Sequence, residues 1–139
     1  MPSPTSFVAT VEKPTILVID DDPAVRNSLK FSLEIDGFSV RTYPAAPDLV
    51  LSRPLPDRAC LVIDHHPLHV DGLDLLKELR SRGVALPAVL IASNPRPMLR
   101  ERARTAGVPV VEKPLAAGAL TAAIETALRG ARSLPVGTG

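Results

Sequence analysis

The chain has 139 residues, 16 basic against 15 acidic side chains for a formal charge of +1, one cysteine, three Phe, one Tyr and no Trp. That is room for one small domain whose core can form without disulfides or a structural metal. The near-neutral charge excludes a nucleic-acid or membrane footprint, the scarcity of aromatic rings leaves few platforms for unpaired bases, and no apolar run approaches the ~20 residues of a membrane span, so a cytoplasmic chain is expected.

Residues 1–13 are rich in Pro, Ser and Thr without periodicity and are expected to form a disordered leader, with the folded domain over 14–130 and a flexible tail or linker remnant over 131–139. Thr15 to Ile19 is apolar and β-branched, a strand signature. Asp22-Pro23 then places an N-cap before a proline at the first helical position, and Val25, Leu29 and Leu33 recur at helical spacing up to Asp36-Gly37. Phe38 to Tyr43 reads as the second strand, Ala45 to Leu51 as a short proline-bounded helix, and Ala59 to Ile63 as the third strand. Cys60 lies within that strand, where a packed thiol is expected. A helix from Gly72 to about Arg82 offers Leu73, Leu76 and Leu79 to a sheet and ends at Gly83. Pro87 to Ile91 is the fourth strand, Pro97 to Thr105 a basic helix, Val108 to Val111 the fifth strand, and Ala116 to about Arg129 an alanine-rich helix. Five strands alternating with helices must pair in parallel.

The polar residues of interest sit just past the strands. Asp20 and Asp21 follow the first, Asp64 the third and Lys113 the fifth. In an open α/β sheet the crevice beyond the carboxyl ends of the strands is where ligands bind, so these four converge if the first strand is central. Three carboxylates in one depression repel unless a cation sits among them, and hard oxygen donors suit Mg2+. An aspartate beside a divalent ion and a lysine can accept a phosphoryl group. Asp22 alone is better explained as a cap than as a ligand. The three histidines, His65, His66 and His69, lack the companion ligands of a zinc site and read as loop residues.

Ile16-Leu17-Val18-Ile19-Asp20-Asp21-Asp22-Pro23, Leu61-Val62-Ile63-Asp64 through Gly72-Leu73-Asp74-Leu75-Leu76, and Glu112-Lys113-Pro114-Leu115 together resemble a response-regulator receiver domain of two-component signalling, over about residues 15–129. The resemblance implies a flavodoxin-like fold, a five-stranded parallel sheet in the order 2-1-3-4-5 with helices on both faces. It implies Asp64 as phosphoacceptor, Lys113 as phosphoryl-binding residue, and Mg2+ held by Asp20, Asp21, Asp64 and the backbone carbonyl of His66. It also implies a cis Lys113-Pro114 peptide. The implied partners are a histidine kinase or histidine phosphotransfer protein docking near the first helix, and a second copy through the fourth helix, fifth strand and fifth helix, with no nucleic acid or membrane engaged by this chain. Such a protein is no conventional enzyme: it catalyses its own aspartyl phosphorylation and slow dephosphorylation.

The chain departs from the family pattern at its switch. Ala92 stands where the family has Thr or Ser, and Val110 where it usually has an aromatic ring. Ser93 follows Ala92 and is the residue that could compensate, although strand alternation is expected to aim it elsewhere. Pro67 comes one position early after Asp64, and Gly107 to Lys113 is one residue shorter than is common. His66 is expected to tune the lifetime of an acyl phosphate. Arg96, Arg100, Arg102 and Arg104 form either a solvated face or a partner surface. The leading reading is a phosphoacceptor with atypical switching. Its alternatives are a non-switching receiver-like binding module and the receiver half of a transcription regulator lacking its DNA-binding domain.

Overall fold

A computed structural model describes residues 13–133; of the leader expected over 1–13 and the tail expected over 131–139, residues 1–12 and 134–139 lie outside the described residues. Strands β1 (Thr15–Ile19), β2 (Ser39–Tyr43), β3 (Ala59–His65), β4 (Ala88–Ser93) and β5 (Val110–Lys113) alternate with helices α1 (Pro23–Ile35), α2 (Ala46–Leu51), α3 (Gly72–Ser81), α4 (Pro97–Ala106) and α5 (Ala119–Ser133). All neighbours pair in parallel in the order β2-β1-β3-β4-β5. The expected topology is therefore the observed one, and the order reverses between β1 and β3, where a doubly wound sheet opens its crevice.

Alternation along the strands builds two apolar layers. Leu17, Leu61, Ile63, Leu90 and Ala92 face α2, α3 and α4 through Leu49, Leu73, Leu76, Leu79 and Leu99. Ile16, Val18, Val62, Val89, Ile91 and Val111 face α1 and α5 through Leu29, Leu33, Leu120 and Ile124. β3, covered on both sides, is buried at every position, and this is why its sequence reads as one continuous apolar run. β2 is an edge strand and alternates exposed with covered residues.

The helix ends follow local chemistry. Asp22 accepts from the amides of Ala24 and Val25 to cap α1, and Asp71 accepts from those of Leu73 and Asp74 to cap α3. Gly107, at φ 72°, closes α4. The Val108 amide then donates back to the Ala103 carbonyl, so Val108 belongs to the helix cap and β5 starts at Val110, two residues later than expected. β3 and β4 run further than expected because pairing continues through Asp64 with Ile91 and His65 with Ala92. α5 starts at Ala119, where Gly118 turns the chain at φ 77° and accepts from Ala122, and it continues to Ser133, past the expected end. The Lys113-Pro114 peptide is cis, as expected, and so is Arg53-Pro54. Among the described residues no helix is long and apolar enough to cross a membrane.

Two consequences are measurable. A Cβ on Gly72 would come within 2.3 Å of Leu90 Cδ1 and 3.3 Å of Ile63 Cγ2, both in the packed layer beneath α3. Gly72→Ala should cost about 1–3 kcal/mol of unfolding free energy, read from urea denaturation. Burial pushes the Cys60 thiol up to about 12 and leaves it without exposed surface. Native protein at pH 8 should resist thiol reagents, with full labelling appearing only on unfolding.

Candidate phosphoryl-transfer site

The strand ends bring two carboxylates and an ammonium together. Asp20 follows β1 and is 3% exposed. Its Oδ1 accepts the Asp22 amide at 2.9 Å and its own carbonyl accepts Arg26 Nη1 at 2.8 Å, which ties it to the first turn of α1. Asp64, 2% exposed, sits within β3. Lys113, the last residue of β5, reaches across the end of β4 and places Nζ 2.9 Å from each Asp64 oxygen, donating a hydrogen bond to Oδ2. His66 Nε2 lies 2.9 Å from the same Oδ2. One atom each from Asp20, Asp64 and His66 fall within 4.8 Å of one another.

Several of these atoms lack hydrogen bonds. Among the described residues Asp20 Oδ2, Asp64 Oδ1 and His66 Nε2 are buried and have no hydrogen-bond partner, so the His66–Asp64 approach is a contact without donor geometry. Leaving such groups unpaired is costly. Burial, followed by the neighbouring Asp64 carboxylate, pushes the Asp20 carboxyl up to about 7, while the Asp22 amide and His66 pull it the other way. A divalent cation would relieve both problems, and two carboxylates are a fitting donor set for one.

The other expected site residues divide. Asp21 is exposed and outside the three-residue group, so it stands apart from the buried donors. The His66 carbonyl accepts the amides of His69 and Val70 at 2.9 and 2.8 Å, in a turn closed by the His66–Val70 bridge, so a metal there would share that oxygen with two amides. Ala92 is fully buried on the α3/α4 face, paired in register with His65 and Glu112. Val110, half-buried, pairs with Leu90. Ser93 is exposed and stands opposite Lys113. It lies two residues beyond Ile91, the register partner of Asp64, so strand parity gives Ser93 the same sheet face as Asp64 and Lys113. That is contrary to the direction expected from sequence.

One histidine is not a loop residue. His65 ends β3, is 8% exposed, and accepts the Gly72 amide on Nδ1 at 3.0 Å. Burial lowers its pKa, with Asp71 opposing. Only the length of the β3–β4 ladder distinguishes it from its neighbours, a tertiary feature with no local signal. The arginines of α4 are largely matched within the protein. Arg102 bridges Asp71 at 3.0 Å and Asp74 at 3.2 Å, Arg100 meets Glu112 at 2.8 Å, and Arg104 meets Glu101 at 2.8 Å. Asp71 is held below the usual carboxylate range because the Arg102 and Asp74 hydrogen bonds outweigh its burial.

Comparisons with known proteins agree with this geometry. The profile of the response regulator receiver domain matches residues 16–125. The chain is 35% identical over 112 residues to the transcriptional regulatory protein FixJ of Azorhizobium caulinodans, covering 80% of this chain and 53% of that protein. It is 34% identical over 117 residues to FixJ of Bradyrhizobium diazoefficiens, covering 84% and 57%. The crystal structure of FixJ-N superposes with a TM-score of 0.75 at 27% identity, covering 91% of this chain and 99% of that one. Full-length FixJ from B. japonicum gives 0.74 at 33% identity, covering 88% and 61%. The chain thus spans about half the length of the curated relatives it matches. With the profile spanning nearly all of the sheet and the acid-lysine cluster at the strand ends, the chain belongs to the response regulator receiver domain family of two-component signalling.

Proposed function

We propose that this domain takes a phosphoryl group from a phosphohistidine protein onto Asp64. The observation that carries the proposal is the Lys113–Asp64 contact between β5 and β3, set beside a buried carboxylate with an unpaired oxygen. A carboxylate oxygen of Asp64 attacks phosphorus, the P–N bond to the donor imidazole breaks, and the donor ring leaves with the bonding pair. Lys113 is already in contact with the nucleophile and supplies positive charge where a phosphoryl oxygen arrives. Asp20 and Asp64 would hold Mg2+, with Asp21 and the His66 carbonyl as outer members of the set; bound there, the ion offsets the charge of the carboxylates and the incoming phosphoryl group. Slow self-dephosphorylation completes the cycle, and His66, beside Asp64, is placed to influence its rate.

Receiver domains partner with histidine kinases or phosphotransfer proteins and often dimerise. For this chain we propose donor docking over α1, next to the pocket that Arg26 helps to anchor, and self-association through α4, β5 and α5. The internal pairing of Arg100, Arg102 and Arg104 argues against a purely electrostatic contact on α4. No DNA binding is proposed for these residues.

Switching is proposed to be atypical. Ala92 supplies no hydroxyl and Val110 no ring, so acceptance and conformational response are separable here. The loss of one hydrogen bond to a charged group is worth about 1.5–3 kcal/mol. Ser93, on the Asp64 face by strand parity, is the candidate substitute. A receiver-like module that binds without switching is the second reading, favoured by the same two positions.

Three experiments bear on these assignments. Incubation with a small acyl phosphate and Mg2+ should add a single base-labile phosphoryl group by intact mass, absent in Asp64→Asn; folded, metal-binding protein that gains no adduct would favour the non-switching module. Ala92→Thr should enlarge the backbone chemical-shift changes that a phosphoryl mimic induces, and unchanged shifts would remove Ala92 as the cause of weak switching. A buried acid whose folded pKa is raised from 3.8 to about 7 binds more protons folded than unfolded across that interval, so its contribution to stability falls as pH rises through it and stays lost above it. Asp20→Asn should therefore be more stable than the parent at pH 8 without metal, by no more than about 2 kcal/mol after solvent screening, and the gap should close toward pH 4 in thermal melts.

A further inference from the structure

The family pocket is a set of oxygen donors, but this chain brings an imidazole into it. His66 Nε2 stands 2.9 Å from Asp64 Oδ2 without hydrogen-bond geometry, Asp20 Oδ2 has no hydrogen-bond partner, and Asp64 Oδ1 has only its ion pair with Lys113. A nitrogen and a carboxylate oxygen at that separation, outside hydrogen-bond geometry, match two neighbouring ligands of one cation: with metal–ligand bonds of about 2.1 Å at right angles, adjacent ligand atoms stand about 3 Å apart. The 4.8 Å spread of the three-residue donor group leaves space for such an ion. Both carboxylates are nearly fully buried, at 3% and 2% exposure, whereas the imidazole is about one-third exposed and can adjust.

We propose that the His66 side chain is a direct metal ligand, making this pocket a mixed nitrogen and oxygen site that selects a borderline divalent transition cation over Mg2+. The inference rests on the proposed function for the location of the metal, but not on phosphorylation itself. Mg2+ demands oxygen ligands and retains its waters, so an imidazole adds little to its binding. Imidazole suits zinc, iron, cobalt and nickel, whose affinities for a nitrogen-containing site rise along the Irving–Williams order. Even an all-oxygen pocket binds cobalt more tightly than magnesium, so the relevant quantity is the part of that preference that depends on His66. The Lys113 ammonium on Asp64 disfavours any cation and acts on both metals alike.

The test uses Co2+ as the probe. Calorimetric titration of the folded protein and of His66→Asn with Co2+ and with Mg2+ should show the Co2+ preference falling at least tenfold in the variant while Mg2+ affinity changes less than threefold. Proton NMR of the Co2+ form should show an exchangeable, strongly shifted imidazole resonance that is lost in His66→Gln; this readout on the parent protein stands even if a variant folds poorly. An unchanged preference together with no shifted imidazole signal would overturn the proposal. Phosphoryl labelling of Asp64 in Mg2+, measured in parallel, separates the two readings: His66-dependent cobalt binding without labelling would refute only the phosphoacceptor assignment, and labelling with His66-independent cobalt binding only this one.

Discussion

The contact between the Lys113 ammonium and the Asp64 carboxylate is the constraint on which the rest of the site depends. It joins residues 49 positions apart, from β3 and β5, across the end of the strand between them. For it to form, β3 must extend far enough to hold Asp64 in its ladder, and β5 must begin late enough to end on Lys113 rather than before it. The first condition is met by continued pairing with β4, the second by the glycine-closed end of α4. The apolar layers therefore decide electrostatics: they fix two strand ends so that one cation meets one buried anion, and they leave a second carboxylate, Asp20, without such a partner.

That imbalance gives the pocket its chemistry. A buried acid with an unpaired oxygen raises its own pKa and weakens the fold wherever it must ionise. Stability is given up at this pocket, a common arrangement at functional sites. Elsewhere charges are matched conventionally. Arg102 spans from α4 to the capping Asp71 and to Asp74, and His65 holds the Gly72 amide from beneath. The start of α3 is thus tied to both β3 and α4, close to Asp64 yet on the opposite face of the sheet.

Ala92 and Ser93 stand on opposite faces of β4. Ala92 is sealed in the α3/α4 layer, while Ser93 opposes Lys113. One residue along a strand is a change of face, so the Ser93 hydroxyl stands on the Asp64 side of the sheet while position 92 faces α3 and α4. The reach of the Ser93 side chain is set at the strand end, where Asn94 stands at φ 45°.

Element order, the parallel sheet and the acidic and basic residues at strand ends follow from local sequence, because buried parallel strands need unbroken apolar runs and caps and turns need particular residues at particular positions. Asp22 before Pro23 and Gly83 after α3 were legible for that reason. Tertiary structure alone decided the exact strand ends, and with them the placement of His65 inside β3, the exposure of Asp21 and the approach of His66 to Asp64. Those outcomes depend on how far neighbouring strands continue to pair and how a loop folds back, and both are set by contacts between residues remote in the chain.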